Sequence, residues 1–187
     1  MKDVIIIGAG VIGASIARNL SRFQLDTLVL EKNSDVGDET SSANSAIVHS
    51  GYDPHTGTLK AIHNVNGNEM FTEVCEDLDV EFERIGSLTI ATNLEECEKL
   101  EELYANALNN GVEVEMVCKE NLFKMEPFVT KKALKALYAK TAGIVNPFEL
   151  VVGLMENAID NGVELHLDEE VTNIKKIDNG YLVITNT

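Results

Sequence analysis

The residues best suited to chemistry stand close to the start of the chain. Gly8-Ala9-Gly10-Val11-Ile12-Gly13 follows the β-branched run Val4 to Ile7 and precedes a stretch with helical spacing. Glu31 stands roughly 20 residues further on, the interval at which an acid in a dinucleotide-binding βαβ unit meets the ribose. Each glycine has a separate task in such a turn. Gly8 permits the tight bend, Gly10 lets backbone amides approach a pyrophosphate, and Gly13 lets the helix lie close on the strand, while the helix N-terminus stabilises the anion. A second group is Thr40-Ser41-Ser42-Ala43-Asn44-Ser45, dense in hydroxyls and amides, followed by Ala46-Ile47-Val48 and His49. Hydroxyls in this number suit a pyrophosphate, whereas a single histidine after an apolar run is by itself more often structural than catalytic.

These groups need elements to hold them. Val4 to Ile7 reads as a strand buried on both faces of a parallel sheet. From Ala14 to Phe23, Ile16, Ala17, Leu20 and Phe23 recur at helical spacing, with Arg18, Asn19 and Arg22 on the opposite side. Thr27 to Leu30 reads as a second buried strand, completing one right-handed crossover. Asp35 to Thr58 is a long polar stretch of the kind that, inside a compact domain, is either functional or disordered, and composition alone favours a solvated surface loop. Beyond it the pattern predicts a helix over 59–78, a strand over 86–92, a helix over 94–109, a strand over 112–117 and another over 133–139. Asn146, Pro147 and Glu149 form a helix start, with that helix running to about Asn161 and Gly162 closing it. Val163 to Leu167 then reads as a strand, and Val171 to Ile177 with Tyr181 to Thr185 as a hairpin across Asn179-Gly180.

Composition narrows the classes of function. A chain of 187 residues with 44% hydrophobic content can bury a core. Its formal net charge of -16, from 31 acidic and 15 basic side chains, opposes binding to nucleic acid or to an anionic membrane surface. Cys75, Cys97 and Cys118 lack metal-ligand or redox-pair spacing, so reduced thiols and no metal are expected. The apolar N-terminal run is short and meets glycines at once, which points to the cytoplasm. His55, His63 and His166 have no context that assigns them a role. Glu31 argues against a 2'-phosphate and therefore against NADP, but serves NAD and FAD equally. An NAD-dependent dehydrogenase and a non-catalytic nucleotide-binding module are the rivals of a flavoenzyme.

Gly8 to Gly13, Glu31-Lys32, Thr40 to Ser45 and Ile47-Val48-His49-Ser50-Gly51 together resemble the N-terminal half of FAD-dependent glycerol-3-phosphate dehydrogenases, and also the L-2-hydroxyglutarate oxidases of the same D-amino-acid-oxidase-like superfamily. Gly143-Ile144-Val145-Asn146-Pro147-Phe148 resembles the return of those chains from substrate domain to flavin domain. The resemblance implies an α/β, Rossmann-like FAD-binding fold of the glutathione-reductase/D-amino-acid-oxidase type, over 1–78 and 143–187, interrupted at 79–142 by part of a mixed-sheet substrate domain. It assigns Gly8, Gly10, Val11, Ile12, Gly13, Glu31, Lys32, Thr40, Ser41, Ser42 and Ser45 to the cofactor, with Ala46 and Ile47 near the isoalloxazine. His49 is expected beside the flavin and Val171 at the adenine.

The implied reaction is oxidation of a small anionic hydroxy substrate by hydride transfer to flavin, glycerol 3-phosphate first and an L-2-hydroxy acid such as 2-hydroxyglutarate second. The electron acceptor, whether oxygen, quinone or a protein, stays open. Enzymes of this kind run to about twice this length as multi-domain chains. The chain is accordingly expected to be an N-terminal fragment, with any peripheral membrane association left to other regions.

Overall fold

A computed structural model describes residues 1–187. In chain order the elements are β1 (Val4–Ile7), α1 (Val11–Leu20), β2 (Thr27–Leu30), β3 (Ile47–Val48), α2 (Leu59–Asp77), β4 (Phe82–Glu83), β5 (Ser87–Ala91) and α3 (Leu94–Asn109). They continue with β6 (Val114–Cys118), α4 (Lys119–Met125), β7 (Lys135–Ala139), β8 (Gly143–Val145), α5 (Pro147–Asp160), β9 (Glu164–His166), β10 (Val171–Ile177) and β11 (Gly180–Thr185). The chain forms two compact units. The first comprises 1–45, 76–81 and 146–187, and the second 46–75 and 82–145.

In the first unit β1, β2 and β9 make a parallel sheet in that order, with Val4 opposite Thr27 and Leu30 opposite His166. All four residues of β2 are buried, as a continuous apolar central strand requires. Asn146 starts α5, accepting the N–H groups of Phe148 and Glu149 ahead of a first-turn proline. Helix α5 packs on α1 and buries Leu150, Val151, Leu154, Met155 and Ala158. Strands β10 and β11 form a separate antiparallel hairpin.

Helix α1 differs from the periodicity reading. It begins at Val11, directly on the glycine turn, and ends at Leu20. Its buried face is Gly13, Ala14, Ala17 and Arg18, whereas Ile16 is 46% exposed and Phe23, beyond the helix, 65%. Arg18, expected on the solvent side, is 7% exposed, and one of its terminal nitrogens lies 2.9 Å from an Asp77 carboxylate oxygen. Close packing selects small side chains for the inner face, and the arginine stem is covered while its head finds an acid.

In the second unit every strand pairing is antiparallel. Strand β7 lies between β5 and β6, and α3 crosses from one flanking strand to the other over a core of Ala91, Leu100, Ala107, Val112, Val114, Leu137 and Ala139. A smaller cluster of Val117, Leu122, Ala133 and Ala136 lies beside α4. Strand β8 pairs with both β3 and β4, with Val48 opposite Gly143 and Phe82 opposite Val145. The three cysteines are free thiols, with Cys75 buried and Cys118 exposed. Burial pushes the Cys75 thiol above its ordinary range. No helix is long and apolar enough to cross a membrane.

Candidate functional site

The glycine turn between β1 and α1 is built by three different constraints. Gly8 has φ +99°, a conformation that side-chain-bearing residues rarely adopt. Gly13 lies so close to the turn that a Cβ there would overlap the Gly8 carbonyl oxygen. Gly10 has the ordinary φ of -73°, but a Cβ on it would stand 3.1 Å from the Ser41 hydroxyl.

That hydroxyl is the tertiary cap of α1, accepting the Val11 N–H at 2.9 Å. Gly10 itself has no side chain with which to cap the helix. The first N–H groups of a helix have no partner within it, so the turn presents partial positive charge where Gly10 leaves room.

Glu31 supports the same turn from the sheet. It is 8% exposed; one carboxylate oxygen accepts the Ala9 N–H at 2.7 Å and the other the Asn33 N–H at 2.9 Å. The acid therefore holds the glycine turn and the exit of β2 in fixed relation. Its own backbone N–H donates to the His166 carbonyl, and its carbonyl accepts the Glu169 N–H, both at 2.9 Å. These bonds continue the β2–β9 pairing past the strand ends and bring Glu169, Glu170 and Val171 alongside.

A cavity of about 380 Å³ opens here, lined among others by Gly8, Gly10, Glu31, Lys32, Thr40, Ser41 and Val171. Its size lies in the range of small-molecule sites. Its lining offers donors at the glycine turn before α1 and the Thr40 and Ser41 hydroxyls, together with the carboxylates of Glu31, Asp38, Glu39, Glu169 and Glu170 and the ammonium of Lys32. This set suits a ligand that carries both anionic groups and hydroxyl or amine donors. FAD's diphosphate and adenosine have this character, so the residues present fit the cofactor implied by the resemblance.

Lys32 and Glu39 form a 2.6 Å ion pair. Their hydrogen bond, reinforced by charge, raises the Lys32 pKa and lowers that of Glu39. Both groups are exposed, so the pair contributes little to stability. The Glu169 carboxyl is held below its ordinary range, chiefly by a 2.8 Å hydrogen bond with His166 Nδ1.

The other candidate residues lie elsewhere. Val11, Ile12 and Gly13 form the first turn of α1 and are not among the residues lining the cavity, with Ile12 71% exposed. Ser42 donates its hydroxyl to the Glu39 carbonyl in a local turn, and Ser45 is exposed. Ala46, Ile47 and His49 belong to the second unit. Ala46 has φ +60°, an uncommon backbone state for alanine, and its carbonyl accepts the Val145 N–H at 3.1 Å. His49 follows β3 and lines a small cavity of about 110 Å³ with Tyr52, Lys60 and Asn64.

Gly37, Asp38, Glu39, Glu169 and Glu170 were not singled out from the sequence, yet all line the larger cavity. Gly37 carried the one available signal, a glycine inside an acidic turn. It has φ +75°, and its N–H donates to the Ala9 carbonyl at 3.1 Å.

Comparison with known proteins adds the following. The model of the DAO family, described as FAD dependent oxidoreductase, matches residues 3–187. A glycerol 3-phosphate dehydrogenase from Caloramator mitchellensis is 49% identical over 187 residues, covering 100% of this chain and 39% of that protein. The mitochondrial L-2-hydroxyglutarate dehydrogenase of Dictyostelium discoideum is 32% identical over 148 residues, covering 77% of this chain and 33% of that protein. Among solved structures, dithionite-reduced L-alpha-glycerophosphate oxidase from Mycoplasma pneumoniae with FAD bound superposes with a TM-score of 0.93 at 33% identity, covering 99% of this chain and 50% of that one. The chain thus spans half or less of the length of these relatives.

Proposed function

Because the chain belongs to the FAD dependent oxidoreductase family, we propose that it forms the dinucleotide-binding part of an enzyme that oxidises glycerol 3-phosphate to dihydroxyacetone phosphate. The observation that carries this reading is the convergence of the Gly10 turn, the Ser41-capped helix and the buried Glu31 on one cavity. The α1 N-terminus with Ser41 and Thr40 binds the pyrophosphate, and Glu31 accepts a ribose hydroxyl through oxygens already oriented by backbone donors. Main chain at Val171 meets the adenine.

The bound flavin supplies the hydride acceptor. Ala46 and Ile47 border the isoalloxazine, and His49 beside it takes the proton of the substrate hydroxyl. Residues 1–78 and 143–187 form the flavin-binding part, and 79–142 belong to the substrate domain. A cytoplasmic location completes the proposal.

An L-2-hydroxy acid such as 2-hydroxyglutarate is the second reading, favoured by the similarity to an L-2-hydroxyglutarate dehydrogenase. The test is anaerobic mixing of the FAD-loaded protein with each compound, following flavin bleaching and assaying the product. Bleaching by glycerol 3-phosphate with formation of dihydroxyacetone phosphate is expected. Bleaching only by 2-hydroxyglutarate selects the second reading, and bleaching by neither overturns both.

A further inference from the structure

The segment carrying His49 is held by a device that the proposed chemistry does not by itself require. The β3–β8 ladder has only two rungs, Ile47 to Ile144 and Val48 to Gly143, so His49 has already left the sheet. Its carbonyl accepts a hydrogen bond from Asn68 Nδ2 at 3.1 Å, and the same amide nitrogen donates to the Thr141 carbonyl at 2.9 Å. The carboxamide thus spans the two chains just past their last rung and acts as a further rung made by a side chain.

Asn68 stands on α2 and is 5% exposed. Its orientation is fixed, because Oδ1 accepts from Arg84 Nη1 at 3.0 Å and an arginine has only donors to offer. Arg84 also donates to the Thr141 carbonyl at 2.6 Å, the Asn68 carbonyl at 2.7 Å and the Thr72 hydroxyl at 3.0 Å. Two residues beyond His49, a Cβ on Gly51 would lie 2.7 Å from Val65 Cγ2 on the same helix. The backbone from His49 to Gly51 is therefore held to α2 by a hydrogen bond at its start and by close packing at its end.

A buried amide with both hydrogens and its oxygen satisfied is rigid, and losing it takes the donor from the His49 carbonyl while Thr141 keeps that of Arg84. We propose that Asn68 is a positioning residue for His49, its carboxamide setting where the imidazole stands relative to the reacting atoms. This rests on the reading that His49 stands beside the flavin. A displacement of about 1 Å at a reacting group costs on the order of a hundredfold in rate.

The test is a double-mutant cycle on the holoenzyme, with single-turnover flavin reduction by whichever hydroxy substrate reduces the parent. His49→Ala, Asn68→Ala and the double variant are compared at equal FAD loading. Asn68→Ala is expected to slow reduction by roughly ten- to a hundredfold, and the double variant to be no slower than His49→Ala alone. Should Asn68→Ala fail to fold, Asn68→Ser carries the comparison, since its short hydroxyl adds no charge and does not span the distance to both the His49 and Thr141 carbonyls. A parent-like rate in the folded Asn68 variant, or losses that multiply in the double variant, overturns the positioning role while leaving His49 in place. A parent-like rate for His49→Ala rejects the reading of His49, and the positioning role falls with it.

Discussion

Adding one methyl group at Gly13 and the same methyl at Gly67 should move stability in opposite directions. At Gly13 the new Cβ overlaps the Gly8 carbonyl oxygen and stands 3.1 Å from its carbon and 3.4 Å from Ile6 Cγ2. Both sides of the main clash are backbone, so no rotamer relieves it and α1 must move away from β1. Ala9, Ala14 and Ala17 around it are fully buried, and that movement opens space among them. Overpacking costs about 1–3 kcal/mol, and a backbone clash belongs at the upper end. For a chain of this size about 3 kcal/mol corresponds to a Tm lower by roughly 6–12 °C. Gly67 lies inside α2, and a Cβ there meets nothing within 4 Å. Alanine at that position gains roughly 0.5–1 kcal/mol through lower backbone entropy loss. Thermal unfolding followed by circular dichroism reads both variants. A Gly13→Ala protein melting within about 2 °C of the parent would refute the close approach of helix to strand, and a Gly67→Ala protein falling as far as Gly13→Ala would refute the open space at Gly67.

Gly10→Val should fold but weaken FAD binding at least tenfold, equivalent to about 1.4 kcal/mol, because its side chain fills the approach beside Ser41; titration of the folded variant with an unchanged Kd would reject the phosphate site. Glu31→Gln replaces one of two buried acceptors by a donor facing an N–H, and should cost about 2 kcal/mol in denaturant unfolding; parent-like stability would show that the carboxylate does not hold the turn. The His166 hydrogen bond depresses the Glu169 pKa in the folded protein. Its contribution is therefore in place above the unfolded carboxyl value of about 4.3 and disappears as pH falls through the lower folded value. Glu169→Gln should thus unfold slightly more readily than the parent near neutrality, with the two converging in acid; a gap that widens toward low pH would contradict the sign.

How far the sequence could be read depended on how local each cause was. The glycine turn, Glu31 and the Asn146 cap act over a few residues or through fixed crossover spacing, and they stand where their pattern places them. Strands β3, β4 and β8 have only two or three residues each, too few to show a period, and α4 has seven. Arg18 was placed on the wrong face because periodicity registers apolarity, whereas the α1 interface selects for small size and leaves Ile16 outside. Asn68 looks like an ordinary polar helix residue, since its partners His49 and Thr141 are 19 and 73 positions away and only the folded chain brings them together. The carboxylates around the cavity were legible as charge but not as lining, because the β2–β9 exit that gathers Glu169 and Glu170 is a tertiary feature.

On the proposed reading, the first unit's cavity takes the adenosine diphosphate half of FAD. The most direct measurement is calorimetric titration of the purified chain with FAD, repeated with ADP and with 2'-phospho-ADP as competitors. One FAD per chain is expected, with displacement by ADP and little displacement by the 2'-phosphorylated form, whose charge meets Glu31. Failure of both FAD and ADP to bind the folded chain, or competition by 2'-phospho-ADP equal to that of ADP, would contradict it.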